Sequence, residues 1–260
     1  MKHDAPPVPP DPEDPSGPGV TAVPDAAARL FPADRLPIAQ AYAERLAGDG
    51  VVRGLIGPRE APRLWERHLL NCALMAPALP PDARVADIGS GAGLPGLVLA
   101  IARPDIEITL IEPLLRRTTF LEEVVADLAL TNVTVVRGRA DALHGKQDFD
   151  IVTSRAVAPM DRLLKWSMPL VSPHGALLAM KGSSAAEEID SARAVLDRLG
   201  CSDPSIEALG LSGDDATLVD PIRVVRVTWA DPARVSLTSR PQREPRGSRP
   251  SRGRSKRRKS

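Results

Sequence analysis

Aromatic side chains are scarce in this chain: three Trp, three Phe and one Tyr make up 3% of 260 residues. A broad stacking surface of the kind that tracks single-stranded nucleic acid needs more of them. There are two cysteines, Cys72 and Cys201, too few and too far apart for a disulfide framework or a metal cluster. His3, His144 and His174 have no metal-ligand partners at suitable spacing, so no metal is expected. No apolar run approaches the length of a membrane span. The start, Met1-Lys2-His3-Asp4 followed by prolines, lacks the apolar stretch of a secretory signal. A cytoplasmic protein with no membrane contact is expected.

The length suits one well-buried α/β domain with appendages. The net charge of +1 hides an asymmetry: residues 240–260 carry ten Lys or Arg and one acid, a net of +9, leaving −8 on residues 1–239. A run this dense reads as a solvated, disordered tail, and its charge also suits a phosphate backbone. Residues 1–24 hold eight prolines and little apolar content, so they read as a disordered arm. The expected division is a proline-rich arm over 1–24, a helical region over 25–80, an α/β domain over 81–232 and a basic tail over 233–260.

One stretch organises the rest. Val85-Ala86-Asp87-Ile88 reads as a buried strand, followed by a turn containing Gly89, Gly91, Gly93 and Gly96. Pro95 is expected at the first position of the next helix, where its missing N–H costs nothing. Glycine lets backbone approach a ligand closely, so a nucleotide-type cofactor is expected here. Gly91 to Gly96 matches the dinucleotide fingerprint, but that match alone is weak. Asp87, two residues before the first glycine, would repel a pyrophosphate. S-adenosylmethionine has no phosphate and carries two cationic groups, an ammonium and a sulfonium, so an acid fits it better. Glu112, ending the next apolar strand, can accept hydrogen bonds from ribose hydroxyls of either cofactor.

Around this turn the pattern alternates. Helices are expected over Pro37–Ala47 and Pro62–Leu79, the second with an apolar stripe of Trp65, Leu69, Cys72 and Ala76. Strands are expected over 84–88, 106–111, 133–136, 149–153, 175–180 and 222–229, with a weak one somewhere in 205–219. Helices over 95–102, 114–130, 159–170 and 185–199 separate them, Leu114 being expected to face the sheet. Such alternation signals a parallel sheet with crossover helices. Number and order favour an α/β, Rossmann-like class I methyltransferase fold: seven mostly parallel strands, helices on both faces and a small N-terminal helical region. Its ligands lie outside the carboxyl ends of the strands, where strand order reverses.

Five segments stand in order: Pro-Arg-Leu-Trp-Glu-Arg-His-Leu-Leu-Asn (62–71), Asp-Ile-Gly-Ser-Gly-Ala-Gly-Leu-Pro-Gly (87–96), Gly-Arg-Ala-Asp (138–141), Thr-Ser-Arg-Ala-Val-Ala (153–158) and Met-Lys-Gly (180–182). Over about residues 35–230 the chain resembles the bacterial 16S ribosomal RNA methyltransferase G family, also called glucose-inhibited division protein B. The resemblance implies methylation of N7 of a guanine in the 530 loop of 16S ribosomal RNA, with S-adenosylmethionine as donor and the small ribosomal subunit as partner. It also implies a link to low-level streptomycin sensitivity. Family cofactor contacts carry over onto Gly89, Leu94, Ala140, Asp141 and Arg155. Asn71 departs from the family pattern, in which many relatives carry Asp.

Guanine N7 has a free in-plane lone pair, so its methylation needs no general base and no covalent cysteine. None is apparent in the sequence. Arg155, after the fourth strand, is the catalytic candidate by positioning: a guanidinium suits the cofactor carboxylate or the O6 and N7 edge of guanine. The cofactor set is Asp87, Gly89, Gly91, Leu94, Glu112, Ala140, Asp141 and Arg155. Arg139, Lys181 and His68 are the candidate RNA contacts, and a monomer is expected. Other readings remain open: a small-molecule methyltransferase of the same fold, an NAD-dependent oxidoreductase, and a non-catalytic RNA-binding protein that keeps the pocket.

Overall fold

The computed structural model describes residues 22–235. The expected arm before residue 22 and the basic tail after residue 235 lie outside the described residues.

Seven strands form one sheet in the order β3-β2-β1-β4-β5-β7-β6. The central strand β1 (Arg84–Ile88) is parallel to β2 (Glu107–Glu112) on one side and to β4 (Phe149–Arg155) on the other. β3 (Val133–Arg137) continues the parallel half beyond β2, and β5 (Val171–Lys181) continues it beyond β4. β7 (Ile222–Val227) runs antiparallel to β5, with Lys181 opposite Arg223, and β6 (Ser205–Leu209) closes that edge antiparallel to β7. The weak sixth strand is therefore the start of its expected window, and the closing pair is a β6–β7 hairpin. Strand order reverses between β1 and β4, so their carboxyl ends flank a crevice.

Both faces of the sheet are covered. On one face, α4 (Gly96–Ala102) and α5 (Leu115–Asp127) share a core with Val85, Ile108 and Leu178. On the other, α6 (Met160–Ser167), α7 (Ala185–Ser191) and α8 (Arg193–Leu199) pack on Ala86, Val152, Leu177 and Val225. Every residue of α4 is buried. A helix apolar all round needs partners all round, and α4 has the sheet beneath it and the helical region above. That region comprises α1 (Ala27–Leu30), α2 (Leu36–Arg45) and α3 (Leu70–Ala73). Its Tyr42, Trp65 and Leu69 belong to the same core as the sheet residues, so it is a layer of the domain.

Several local expectations are corrected. The segment expected as one helix over 62–79 is helical from Ala61 to Ala78 but uneven: a tight turn over Ala61–Arg63, a wide turn over Trp65–Leu69, then α3 and a tight turn over Ala76–Ala78. Pro62 stands in the first turn, where a missing donor costs nothing, and Pro77 in the last tight turn before the chain extends at Leu79. Its stripe of Trp65, Leu69, Cys72 and Ala76 is nevertheless fully buried. The helix of 185–199 breaks at Ala192 into α7 and α8. Pro95 precedes the first helical residue, Gly96, and follows a cis bond from Leu94. Leu114 flanks α5 and is 49% exposed, so it does not face the sheet. No helix among the described residues is long and apolar enough to cross a membrane.

Candidate active site

The glycine turn is built from close backbone approaches. Gly89 has φ +68°, and a Cβ there would sit 2.9 Å from Cγ2 of Val157, on the loop after β4. Gly96 is pressed against the side chains of Leu110 and Asp87, with no room for a Cβ. That approach lets the Gly96 N–H donate to Asp87 Oδ2 at 3.0 Å.

Asp87 is completely buried, and its Oδ1 has no partner. Burial pushes its carboxyl up to about 7, against the opposing pull of the Gly96 N–H. A buried, incompletely paired carboxyl costs folding free energy, and such perturbed groups gather at functional sites. When ionised, Asp87 places negative field beneath the turn, which suits a cationic ligand above.

Glu112 is the second acid, also buried. Its Oε2 accepts from the Gly91 N–H at 3.0 Å, and its Oε1 from the Leu114 N–H at 3.1 Å. Arg117 Nη1 approaches Oε2 at 3.4 Å. The carboxylate thus ties the end of β2 to the glycine turn.

Two cavities open on the carboxyl edge of the sheet. The first, about 610 Å³, is lined by Gly89, Gly91, Leu94 and Glu112, and on its far side by Ala140 and Asp141. Asp87 does not line it and lies beneath the turn, offering negative field and not contact. The second, about 810 Å³, is lined by Asn71, Pro159, Lys181, Glu188 and Arg223. Arg155, Ala156 and Val157 line both and form the wall between them. Ala156 has φ +53°, a backbone strained for a residue with a side chain, at the bend that turns Val157 toward Gly89.

Arg155 is held from the helical region. Its Nη2 lies 2.8 Å from His68 Nδ1, its Nη1 3.4 Å from the Arg67 carbonyl and 3.8 Å from Cys72 Sγ. His68 Nε2 lies 3.0 Å from Glu60 Oε2. Burial, and then Arg155, lower the His68 pKa below the ordinary 6.5.

The remaining candidates differ in how free they are. Lys181 Nζ donates to Glu188 Oε2 at 2.7 Å and to the Ala158 carbonyl at 2.9 Å, leaving its side chain 9% exposed. It braces the second cavity and has little reach toward a phosphate. Arg139 is exposed, 3.3 Å from Asp141, with its guanidinium 5.9 Å from the Trp166 ring. Leu55, Ile56, Arg117 and Arg223, none of them an expected site residue, also line a cavity, as does Trp166, expected as a packing residue. Only Arg117 carried a readable signal, a cation five residues after Glu112.

A seven-stranded sheet with this order and closing hairpin, a glycine turn after β1 and an acid ending β2, defines a class I S-adenosylmethionine-dependent methyltransferase. The description "rRNA small subunit methyltransferase G" matches residues 35–215. A Nocardioides protein named "Ribosomal RNA small subunit methyltransferase G" is 66% identical over 215 residues, covering 83% of this chain and 84% of its own. A Thermobifida fusca protein of the same name is 52% identical over 236 residues, covering 89% and 97%. The chain belongs to the rRNA small subunit methyltransferase G family. Among solved structures, a SAM-dependent O-methyltransferase from Thermotoga maritima matches with TM-score 0.48 at 13% identity, over 61% of this chain and 64% of its own. A precorrin-6y methyltransferase from Geobacter metallireducens matches with TM-score 0.45 at 16% identity, over 60% and 84%.

Proposed function

We propose that this protein methylates N7 of a guanine in the 530 loop of 16S ribosomal RNA, within the small ribosomal subunit. The observation that carries this reading is the pair of cavities divided by Arg155, in a chain of this family. One cavity suits the donor and the other a flipped purine.

S-adenosylmethionine, when bound, supplies a methyl group on a positively charged sulfur. The glycine turn gives it close backbone contact, and Glu112 is placed to accept from ribose hydroxyls. Asp141 accepts from the adenine amino group, and Leu94 and Ala140 supply apolar contact. Asp87 contributes negative field beneath the turn. Arg155 orients the purine edge toward the shared wall, and Arg139 reaches for RNA outside it.

Guanine N7 bears no proton, so the chain needs to move none. The acids on the two cavity walls fit that chemistry, each being already engaged. Glu112 holds the turn, Asp141 pairs with Arg139, and Glu188 pairs with Lys181. What remains for the protein is orientation, a contribution of up to about 7–11 kcal/mol in favourable cases. The acidic body is reconciled with an RNA substrate by its basic tail, which we assign to phosphate contact.

The test is to supply methyl-labelled donor with small ribosomal subunits, protein-free 16S RNA and a pool of small metabolites. Label in RNA or subunits supports the reading. Label only in metabolites would replace it with a small-molecule methyltransferase.

A further inference from the structure

The Glu60–His68–Arg155 chain has a direction fixed by chemistry. A guanidinium has donors and no acceptor, so His68 Nδ1 at 2.8 Å must accept from Arg155. Nδ1 therefore carries no proton, and Nε2 carries the one given to Glu60 at 3.0 Å. Glu60 also receives Arg67 Nη1 at 3.0 Å, which fixes its carboxylate. His68 thus has each ring nitrogen committed, and its second partner, 87 residues away, is part of the wall between the cavities.

We propose that His68 is a positioning residue for methyl transfer, its neutral ring holding the Arg155 guanidinium at the junction of the two cavities with Glu60 fixing the tautomer. This rests on the reading that Arg155 works at the transfer site. Without the imidazole, the guanidinium keeps only the long contacts to the Arg67 carbonyl and Cys72 Sγ, at 3.4 and 3.8 Å. An imidazolium could not accept from Arg155 and would place a second cation against it. The charged groups facing the ring are Arg155 on the sheet side, and Glu60 and Arg67 on the helical side. Protonation therefore breaks the hold, and burial and Arg155 keep that event below the ordinary pH of imidazole titration.

Two amides separate the two ring nitrogens. Asn places its oxygen near the Nδ1 position and can accept from Arg155. Gln reaches the Nε2 position and serves only Glu60. The kcat for methylation of small ribosomal subunits is measured for wild type, His68→Asn, His68→Gln and Arg155→Ala between pH 5.5 and 8.5, roughly the span over which imidazoles titrate. Saturating donor keeps the Asp87-linked change in donor affinity out of the rate. Calorimetric donor binding serves as a check of folding.

His68→Gln is expected to lower kcat roughly tenfold to a hundredfold, as for removal of a hydrogen bond to a charged group. His68→Asn should recover most of the activity at neutral pH. Wild type should lose activity at the acid end, and the Asn variant should lose that acid limb. Full activity in His68→Gln, or an unchanged acid limb in His68→Asn, with Arg155→Ala inactive, overturns the role of His68 and leaves that of Arg155 standing. Full activity in Arg155→Ala overturns both.

Discussion

His68 Nδ1 and Arg155 Nη2 lie 2.8 Å apart, joining the N-terminal helical layer to the carboxyl end of β4. The bond makes the helical layer part of the site. It sets the orientation of the one side chain among the candidates that faces both cavities.

Replacing Arg155 with Ala should lower methyl transfer by at least about a hundredfold while donor binding and melting temperature change little. Removing a positioning group acts on the transition state and so appears in kcat. Arg155→Lys should rescue poorly, since a point charge cannot reach His68, the Arg67 carbonyl and substrate together. Single-turnover rates beside thermal melts check this.

Asp87 ties stability to donor binding through pH. Its folded carboxyl lies at about 7, against an ordinary 3.8. Between those values the folded chain holds a proton that the unfolded chain has released, so stability falls as pH rises from about 4 to about 7. Asp87→Asn removes that dependence: its stability should gain on wild type across this window, by about a few kcal/mol at most, read as a higher melting temperature. Donor affinity should move the other way. In wild type it should strengthen from pH 6 to pH 8 as the carboxyl ionises beneath a cationic ligand, and Asp87→Asn should flatten the rise. Melts and calorimetry over that range give both readings.

Glu112→Gln puts an amide where two backbone N–H groups now donate, at 3.0 and 3.1 Å. One donor is left facing another. Donor affinity should fall roughly tenfold to a hundredfold, the cost of an unsatisfied buried group. Titration of S-adenosylhomocysteine would show it.

The strands were legible because buried parallel strands leave unbroken apolar runs, and their alternation with helices signals a mostly parallel sheet but not the order of its strands. The helical region was less so. The stripe from Trp65 to Ala76 reads as helix and is helical, but the widened turn over Trp65–Leu69 leaves no mark in the apolar spacing. The site was legible where it is local, as at Gly89, Asp87 and Glu112. The approach of His68 to Arg155 was not, because 87 residues separate them and no periodicity encodes a contact made by packing two layers. Lys181 looked available at a strand end, but Glu188, seven residues on, reaches back from α7 and occupies it.

Deleting residues 236–260 should reduce the salt dependence of RNA binding. For every phosphate the tail no longer neutralises, the slope of log K against log salt should shrink by about 0.7–0.9. Filter binding at several ionic strengths checks it, and an unaltered slope would take the tail out of RNA recognition.

The most direct measurement is the chemical position of the methyl group after one turnover on small ribosomal subunits, found by nuclease digestion and mass spectrometry. The expected product is N7-methylguanine at a single site in the 530 loop, formed by wild type and not by Arg155→Ala. A methyl on an exocyclic amine, on ribose, or on no RNA at all would contradict transfer to a nitrogen that reacts without a base.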